Sequence, residues 1–371
     1  MPHQSPFALP AGWSARTLTT LRRNLLTWFD AHQRPLLWRA DRDPYRIWVS
    51  EVMLQQTTVA AVTRYFDRFL TRFPTLEALA KADEQDVLRE WEGLGYYRRA
   101  RHLHAAARIL AASHPEGLPN DPDVWAELPG VGRYILGAVL SQAFDRKLPI
   151  VEANSLRVFA RLLGFTGDPR QGAGQRWVWS AAEALLPGQR VGDFNQALME
   201  LGAVVCTPTS PGCGECPVRS ACVARREGLQ ESIPPKKVQA GITQVHEVGV
   251  VIWDHAKVLL CRRPASARWA NLWEVPHGER LPGEVISAGA RRVAKELTNL
   301  AINVGEVLQT IRHGVTRWSI EMVCVEAQKR SGRFASSFYS EGRWVNVADL
   351  GEYPVSSPQR KLLRSLSAKQ E

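Results

Sequence analysis

Cys206, Cys213, Cys216 and Cys222 fall within seventeen residues in a C-x₆-C-x₂-C-x₅-C pattern. Four thiols this close are a complete ligand set for one metal centre, which would fix the path of the chain there. Cysteine is scarce, six in 371 residues, which argues against a disulfide framework. A cubane iron–sulfur cluster needs four thiolates converging from a short stretch. Zinc more often takes two separated C-x₂-C knuckles or mixed Cys/His ligands. Here one C-x₂-C is flanked by two single cysteines with no histidine nearby. The spacing favours a [4Fe-4S] cluster, with zinc and then disulfides as alternatives. Cys261 and Cys324 sit in apolar, strand-like runs and are expected in a core.

The chain changes texture just after these cysteines. Over residues 15–225, apolar residues recur at three and four, as in Leu21-Leu25-Trp28-Phe29 and Val59-Val62-Phe66-Phe69, the period of a helix. Asp43-Pro44, Phe73-Pro74, Leu128-Pro129-Gly130 and Gly164 punctuate them. A polar stretch broken by Pro234-Pro235 reads as a linker, 229–243. From Val245 the pattern turns strand-like, with further strands expected at 301–311, 318–326 and 343–347 and helices near 285–298 and 357–367. The division is therefore an all-α domain over 15–228, a linker over 229–243 and an α+β domain over 244–371. The net charge of +10 fits a polyanionic partner. No apolar run reaches the roughly 18 residues of a membrane span. The N-terminus carries no secretory pattern, so a cytoplasmic, nucleoid-associated protein is expected.

The segment Leu128-Pro129-Gly130-Val131-Gly132-Arg133-Tyr134 reads as a tight turn between two helices. Gly130 and Gly132 let backbone approach closely and leave amide donors at the start of the next helix, a site for a phosphate of a nucleic-acid backbone, with an ordinary helix–helix turn as the alternative. This string, with the cysteine loop about 75 residues on, resembles the helix-hairpin-helix glycosylases of the endonuclease III superfamily. Within it, Trp48-Val49-Ser50-Glu51-Val52-Met53-Leu54-Gln55-Gln56-Thr57, Gly93-Leu94-Gly95-Tyr96-Tyr97 and Phe194-Asn195-Gln196 resemble the MutY-type adenine DNA glycosylases. The resemblance implies an all-α glycosylase domain with an iron–sulfur loop and a Nudix-like α+β domain. It also implies double-stranded DNA with A:8-oxoguanine or A:G mispairs as partner. A monomer is expected.

Glu51 carries the most weight. It is expected on a helix face shared with Gln55 and Thr58, among Trp48, Val49, Val52, Met53 and Leu54. A carboxyl held among such groups resists ionising and can deliver a proton. The resemblance implies that Glu51 protonates N7 of adenine, making the base a leaving group. The family's V-D-G-N-x-x-R-V string reads here Val151-Glu152-Ala153-Asn154-Ser155-Leu156-Arg157-Val158. Glu152 thus stands where an aspartate is usual, as stabiliser of the sugar cation or as a helix cap. Arg157 and Arg161 are expected toward phosphates or solvent. Tyr134 holds the place where bifunctional relatives carry the Schiff-base lysine, which implies base release without efficient strand cleavage. Gln56 and Tyr97 match intercalating positions, Tyr97 on an expected exposed turn. Trp38, Arg39, Leu54 and Gln196 match the lining of an adenine pocket.

The second domain resembles a Nudix domain. Counting from Gly278, Glu284, Arg292 and Glu296 keep their places, while Val293, Leu297 and Asn299 replace two acids and a glycine. So few carboxylates imply a fold kept for recognition. Val315, Thr316 and Arg317 fall where the family's Phe-Ser-His contacts the strand bearing 8-oxoguanine, making Thr316 and Arg317 candidate DNA contacts. The leading reading is a monofunctional adenine DNA glycosylase. A glycosylase with lyase activity and a DNA-binding homologue impaired in catalysis are the alternatives.

Overall fold

A computed structural model describes residues 7–236 and 241–368. The chain divides into two compact units, Met1–Leu70 with Thr75–Glu77 and Ala106–Val238, and Thr71–Pro74 with Ala78–Ala105 and Gln239–Glu371. Ala78–Ala105 thus groups with the C-terminal part, which the change of texture near 229–243 does not reveal. Positions 237–240 of the expected linker, and 369–371 of the expected second domain, lie outside the described residues.

Up to Arg226 the described chain is helical, as its three-and-four spacing predicts. The helices are α1 (Ala15–His32), α2 (Pro44–Leu54), α3 (Val59–Arg72), α4 (Leu76–Lys81), α5 (Glu84–Glu90) and α6 (Arg98–Ser113). They continue as α7 (Pro122–Ala126), α8 (Arg133–Phe144), α9 (Ala153–Leu163), α10 (Gly172–Leu185), α11 (Val191–Val204) and α12 (Val223–Arg226). Their starts follow capping chemistry. Ser14 and Thr17 close a capping box on α1. Asp43 accepts from the amides of Tyr45 and Arg46 ahead of Pro44, so the Asp-Pro signal opens α2.

In the first unit Leu21, Leu25 and Phe29 of α1 share a core with Val158, Phe159 and Leu162 of α9, Val178 of α10, and Leu198 and Leu201 of α11. Each such side chain, taken from water, contributes about 1.5–3 kcal/mol. Cys206, Cys216 and Cys222 pack against the same core, so the cysteine loop is anchored to it. Helix α8 runs close to the segment that leads into α9. A Cβ at Gly137 would stand 2.4 Å from the Pro149 carbonyl oxygen, so no larger residue fits there.

The second unit holds a mixed sheet of β1 (Thr243–Asp254), β2 (Lys257–Arg262), β3 (Trp273–Glu274), β4 (His277–Glu279), β5 (Ala301–Val315), β6 (Trp318–Ser331) and β7 (Glu341–Asn346). The order is β3-β2-β1-β6-β5, with β4 on β1 and β7 on β2. Strands β1 and β6 run parallel, Val250 opposite Val325. Alternation places Val248, Val250 and Ile252 under α13 (Ile286–Thr298), which contributes Ala290, Val293 and Ala294. The other face, with Val251, Val258 and Met322, packs on Leu362, Leu363 and Leu366 of α14 (Ser357–Ser367). Cys261 and Cys324 are fully buried in these two layers, as their apolar runs predict. No helix among the described residues is long and apolar enough to cross a membrane.

Candidate active site

Glu51 lies one turn before the end of α2 and is 3% exposed. Helix α2 stops at Leu54, because Gln56 takes a left-handed backbone, φ +56°. Gln55 and Thr58 therefore do not continue the face of Glu51, contrary to the expected longer helix. The partners of Glu51 come instead from α8. The Tyr134 hydroxyl donates to its Oε2, and Gln142 Nε2 donates to its Oε1 at 2.7 Å. Burial pushes the Glu51 carboxyl above the ordinary glutamate range. The bonds from Tyr134 and Gln142 and the charge of Arg39 oppose that rise, and the nearby Glu152 charge adds to it. Burial, with the charge of Glu51, holds the Tyr134 hydroxyl well above its usual range, so it stays a neutral phenol.

Glu152 is the N-cap of α9. Its Oε2 accepts from the Asn154 amide at 2.8 Å and its Oε1 from the Ser155 amide at 2.7 Å, while Ser155 Oγ accepts from the Glu152 amide at 2.9 Å. The longer side chain thus folds back on its own helix terminus, so the capping role is present. Burial raises its carboxyl, against the pull of those amides. The charge of Glu152 reaches both Glu51 and Tyr134, so the two carboxyls are electrostatic neighbours.

Arg39 Nη2 donates to Glu200 Oε2 at 3.0 Å, and Arg34 Nε donates to Glu200 Oε1 at 2.6 Å. Glu200, one turn after Gln196 on α11, is fully enclosed. It was invisible as a site residue in sequence, because a lone glutamate at helical spacing reads as solvated. Trp38 is buried edge-on against Phe66, whereas Leu54 and Gln196 are half-buried and Gln56 is exposed. Gly130, at φ +79°, and Gly132 are exposed at the start of α8, which no side chain caps. Arg133 stacks over Trp179 at 4.0 Å beside them.

Two expectations are corrected. Tyr97 is buried, 4% exposed, with its hydroxyl donating to the Val355 carbonyl at 2.9 Å. The exposed aromatic is its neighbour Tyr96, 51% exposed at φ +47°. The left-handed backbone turns one ring outward and the next inward, and residue type alone does not choose between them. Arg157 and Arg161 face neither phosphate nor solvent. Arg157 donates to Gly202 and Cys206 carbonyls and to Asn154 Oδ1, and Arg161 to the Thr207, Pro208 and Ile233 carbonyls. Carbonyls left unpaired beyond α11 attract these guanidiniums inward.

The four cysteines are free thiols that line one pocket together with Arg161, Arg219, Arg225 and Gln230. Arg161 Nη1 lies 3.4 Å from Cys206 Sγ. Burial raises the Cys216 thiol to about 12, with Cys206, Cys222 and Cys213 adding to the rise, so all four are electrostatic neighbours. Among the described residues, no group of three or more His, Cys, Asp or Glu is arranged to hold a single metal ion. Arg225 and Arg226 are exposed beside this loop.

In the second unit Glu284 is held by Arg292 through two bonds of 2.8 Å, and Arg292 also reaches Glu296 at 3.1 Å. Val293, at the place of an acid, is core. Thr316 and Arg317 form the exposed two-residue turn between β5 and β6, with Thr316 at φ +52°. Arg317 lies over the Trp318 ring at 5.2 Å, and Arg268 over Trp318 at 5.1 Å and Trp269 at 4.9 Å.

Comparisons with known proteins agree with this architecture. Residues 49–181 match the profile of the HhH-GPD superfamily base excision DNA repair proteins, and residues 247–365 match that of the NUDIX domain. The human adenine DNA glycosylase is 32% identical over 414 residues, covering 95% of this chain and 75% of its own length. That of Buchnera aphidicola subsp. Schizaphis graminum is 33% identical over 351 residues, covering 94% of this chain and 99% of its own. A solved thermostable thymine-DNA glycosylase superposes with a TM-score of 0.51 at 29% identity, over 57% of this chain and 98% of that one. Identity that runs through both units, and not only the shared helical part, means that this chain belongs to the adenine DNA glycosylase family, enzymes that are DNA N-glycosylases of base-excision repair.

Proposed function

We propose that the chain hydrolyses the N-glycosidic bond of adenine mispaired with 8-oxoguanine or guanine in double-stranded DNA, without a lyase step. The observation that carries this is a buried carboxyl, Glu51, bonded through both oxygens to α8 and raised by burial. Such a group stays protonated at a pH where a free glutamate has ionised. In the proposed reaction the target nucleotide leaves the stack. The proton on Glu51 passes to N7 of adenine, and the C1′–N9 bonding pair leaves with the base. Water then bonds C1′, and its proton returns to the Glu51 carboxylate, so the acid is restored. Glu152, one of two carboxyls at the site, stabilises the positive sugar. Tyr134 is a neutral phenol in the place where an amine would form a Schiff base, which supports simple hydrolysis.

The division of labour follows the chain, with catalysis in 15–228, a linker at 229–243 and strand recognition in 244–371. Trp38, Arg39, Leu54 and Gln196 line the adenine pocket. Gln56, exposed just after α2, enters the duplex where the base has left, and the exposed Tyr96 offers a ring that stacks on a base. Gly130 and Gly132 take a phosphate at the start of α8. Four unpaired thiols around one pocket, with an arginine N–H on Cys206 Sγ, form a donor set that suits a [4Fe-4S] cluster. Cys206, Cys213, Cys216 and Cys222 would hold it. When bound it ties the loop to the helical core and supplies electron-transfer capacity rather than acid or base. Arg317 and Arg268, stacked on tryptophans, offer their N–H edges to the strand opposite adenine.

A DNA-binding homologue without catalysis is the second reading, favoured by the two amide bonds that occupy Glu152. Single-turnover adenine release from A:8-oxoguanine, A:G and A:T duplexes decides between them, on wild type, Glu152→Asp and Glu152→Ala. Release from the mispairs, lost in Glu152→Ala and kept in Glu152→Asp, is expected. Binding without release from any duplex overturns the catalytic reading. Efficient borohydride trapping of a lysine adduct overturns the absence of a lyase step.

A further inference from the structure

We propose that Gln142 is a positioning residue that fixes the transferable proton of Glu51 on Oε2, the oxygen facing Tyr134. The inference rests on the reading of Glu51 as the acid. Its basis is the different donor chemistry of the two groups that α8 presents. Gln142 meets Oε1 at 2.7 Å through an amide N–H, which donates and cannot accept. Tyr134 meets Oε2 through a hydroxyl, which does either. With Glu51 ionised, only the N–H orientation of Gln142 bonds the carboxylate. Keeping that orientation on protonation leaves Oε2 as the proton site, and the Tyr134 oxygen can accept from it until adenine arrives.

Gln142 is placed for this task. It is 5% exposed and sits two turns beyond Tyr134 on the same helix, so the two side chains converge on Glu51 from one rigid element. The end of α8 is pinned next to it. Asn195 Nδ2 donates to Ser141 Oγ at 3.0 Å and to the Leu148 carbonyl at 2.9 Å. Asp145 closes the helix with a left-handed cap whose amide returns to the Leu140 and Ser141 carbonyls. Around Glu51 the charged and titratable groups are Arg39, Tyr134 and Glu152, and the neutral Gln142 is the partner that touches Oε1. Loss of that donor disfavours the ionised carboxylate and frees the proton to visit either oxygen.

The test is single-turnover adenine release from a duplex carrying A opposite guanine, between pH 5 and 9. Wild type, Glu51→Gln, Gln142→Leu, Gln142→Met and Gln142→Glu are compared, with duplex affinity measured in parallel. Gln142→Leu and Gln142→Met are expected to lower the plateau rate about tenfold, equivalent to about 1.4 kcal/mol on the barrier. Their basic limb moves to higher pH while affinity holds. Gln142→Glu donates only when protonated, so its release is confined to the acid side. A wild-type plateau and limb in either apolar variant overturns the role of Gln142. Full activity in Glu51→Gln overturns the acid assignment itself, a separate outcome. The methionine variant keeps the length of the side chain, so its profile decides the matter if the leucine variant melts early.

Discussion

Arg39 is held against Glu200 by a 3.0 Å bond, and the carboxylate it meets is completely enclosed. Arg34 takes the other oxygen at 2.6 Å. Burial alone would raise the Glu200 carboxyl, but the bond from Arg34 and the charge of Arg39 hold it below its ordinary range. A depressed carboxyl contributes stability above its unfolded pKa and loses it as pH falls through the folded one. Glu200→Gln leaves Arg39 buried without its counter-charge, and the expected loss is about 3 kcal/mol near neutral pH. Urea melts at pH 7 and in acid check this. The gap between variant and wild type should close in acid. Arg39 carries the same prediction into function, since an arginine no longer oriented slows adenine release in Glu200→Gln more than it weakens DNA binding.

Glu51 has the opposite sign. Burial raises its folded-state carboxyl, so its contribution is fully present below the unfolded pKa and is lost as pH rises through the folded one. Each unit between the two values costs roughly 1.4 kcal/mol at high pH. Glu51→Gln should therefore abolish adenine release, by at least about 100-fold, and yet melt higher than wild type at pH 8. At pH 4.5 the two should melt together. Thermal denaturation at both values separates this from a simple packing change, which would be the same at each.

The resemblance in sequence puts the intercalating ring at Tyr97, and the burial of Tyr97 beside an exposed Tyr96 predicts the other ring. Tyr96→Ala should weaken binding to a mispaired duplex and slow adenine release at least about tenfold, since a stacking ring is lost. Tyr97→Phe removes the bond to the Val355 carbonyl and should cost stability of about 1 kcal/mol, with DNA affinity unchanged. The reverse pattern in a binding assay would restore Tyr97 as the ring that enters DNA.

What the sequence made legible was whatever depended on period, caps and motif spacing. Asp43-Pro44 marked a break that the structure shows to be the start of α2, the three-and-four pattern announced the helical unit, and apolar strand-like runs placed Cys261 and Cys324 in a core. Glu51 and Tyr134 were visible as candidates from their strings, and the structure places them in direct contact. Contacts between distant elements were not legible. Gln142 lies 91 positions beyond the Glu51 it bonds and Glu200 lies 161 beyond the Arg39 it bonds, and nothing local marks either pairing. Arg157 and Arg161 looked like a basic face, because helical spacing says nothing of carbonyls gathered beyond α11. The choice between Tyr96 and Tyr97 depended on one positive φ. The grouping of Ala78–Ala105 with the C-terminal residues depended on tertiary packing alone.

The cysteine pocket predicts metal content directly. Protein purified without air should contain about four iron and four sulfide per chain, the composition of the proposed cubane. Cys216→Ser should lose most of the iron and melt earlier, because three of the four cysteines pack on the core shared by α1, α9, α10 and α11. One zinc per chain with no iron would replace the cluster with a zinc knuckle and leave the glycosylase chemistry at Glu51 untouched.

The acids of the second unit are either engaged or replaced. Glu284 and Glu296 are both engaged by Arg292, and the places of two further acids hold Val293 and Leu297. Magnesium-dependent hydrolysis of a nucleoside triphosphate is accordingly expected to be undetectable, and Glu284→Gln should leave adenine release unchanged. Arg268 and Arg317 behave otherwise. Each stacks on tryptophan, which holds the guanidinium plane and leaves its N–H edge for a phosphate or a guanine edge. If they touch phosphate, Arg268→Ala and Arg317→Ala should weaken binding equally for A:8-oxoguanine and A:G duplexes. Each should also reduce the slope of log affinity against log salt by about one. If Arg317 reads the lesion base, its variant should lose the preference between the two duplexes and keep the salt slope. Titrations of both duplexes at several salt concentrations distinguish the two contacts residue by residue.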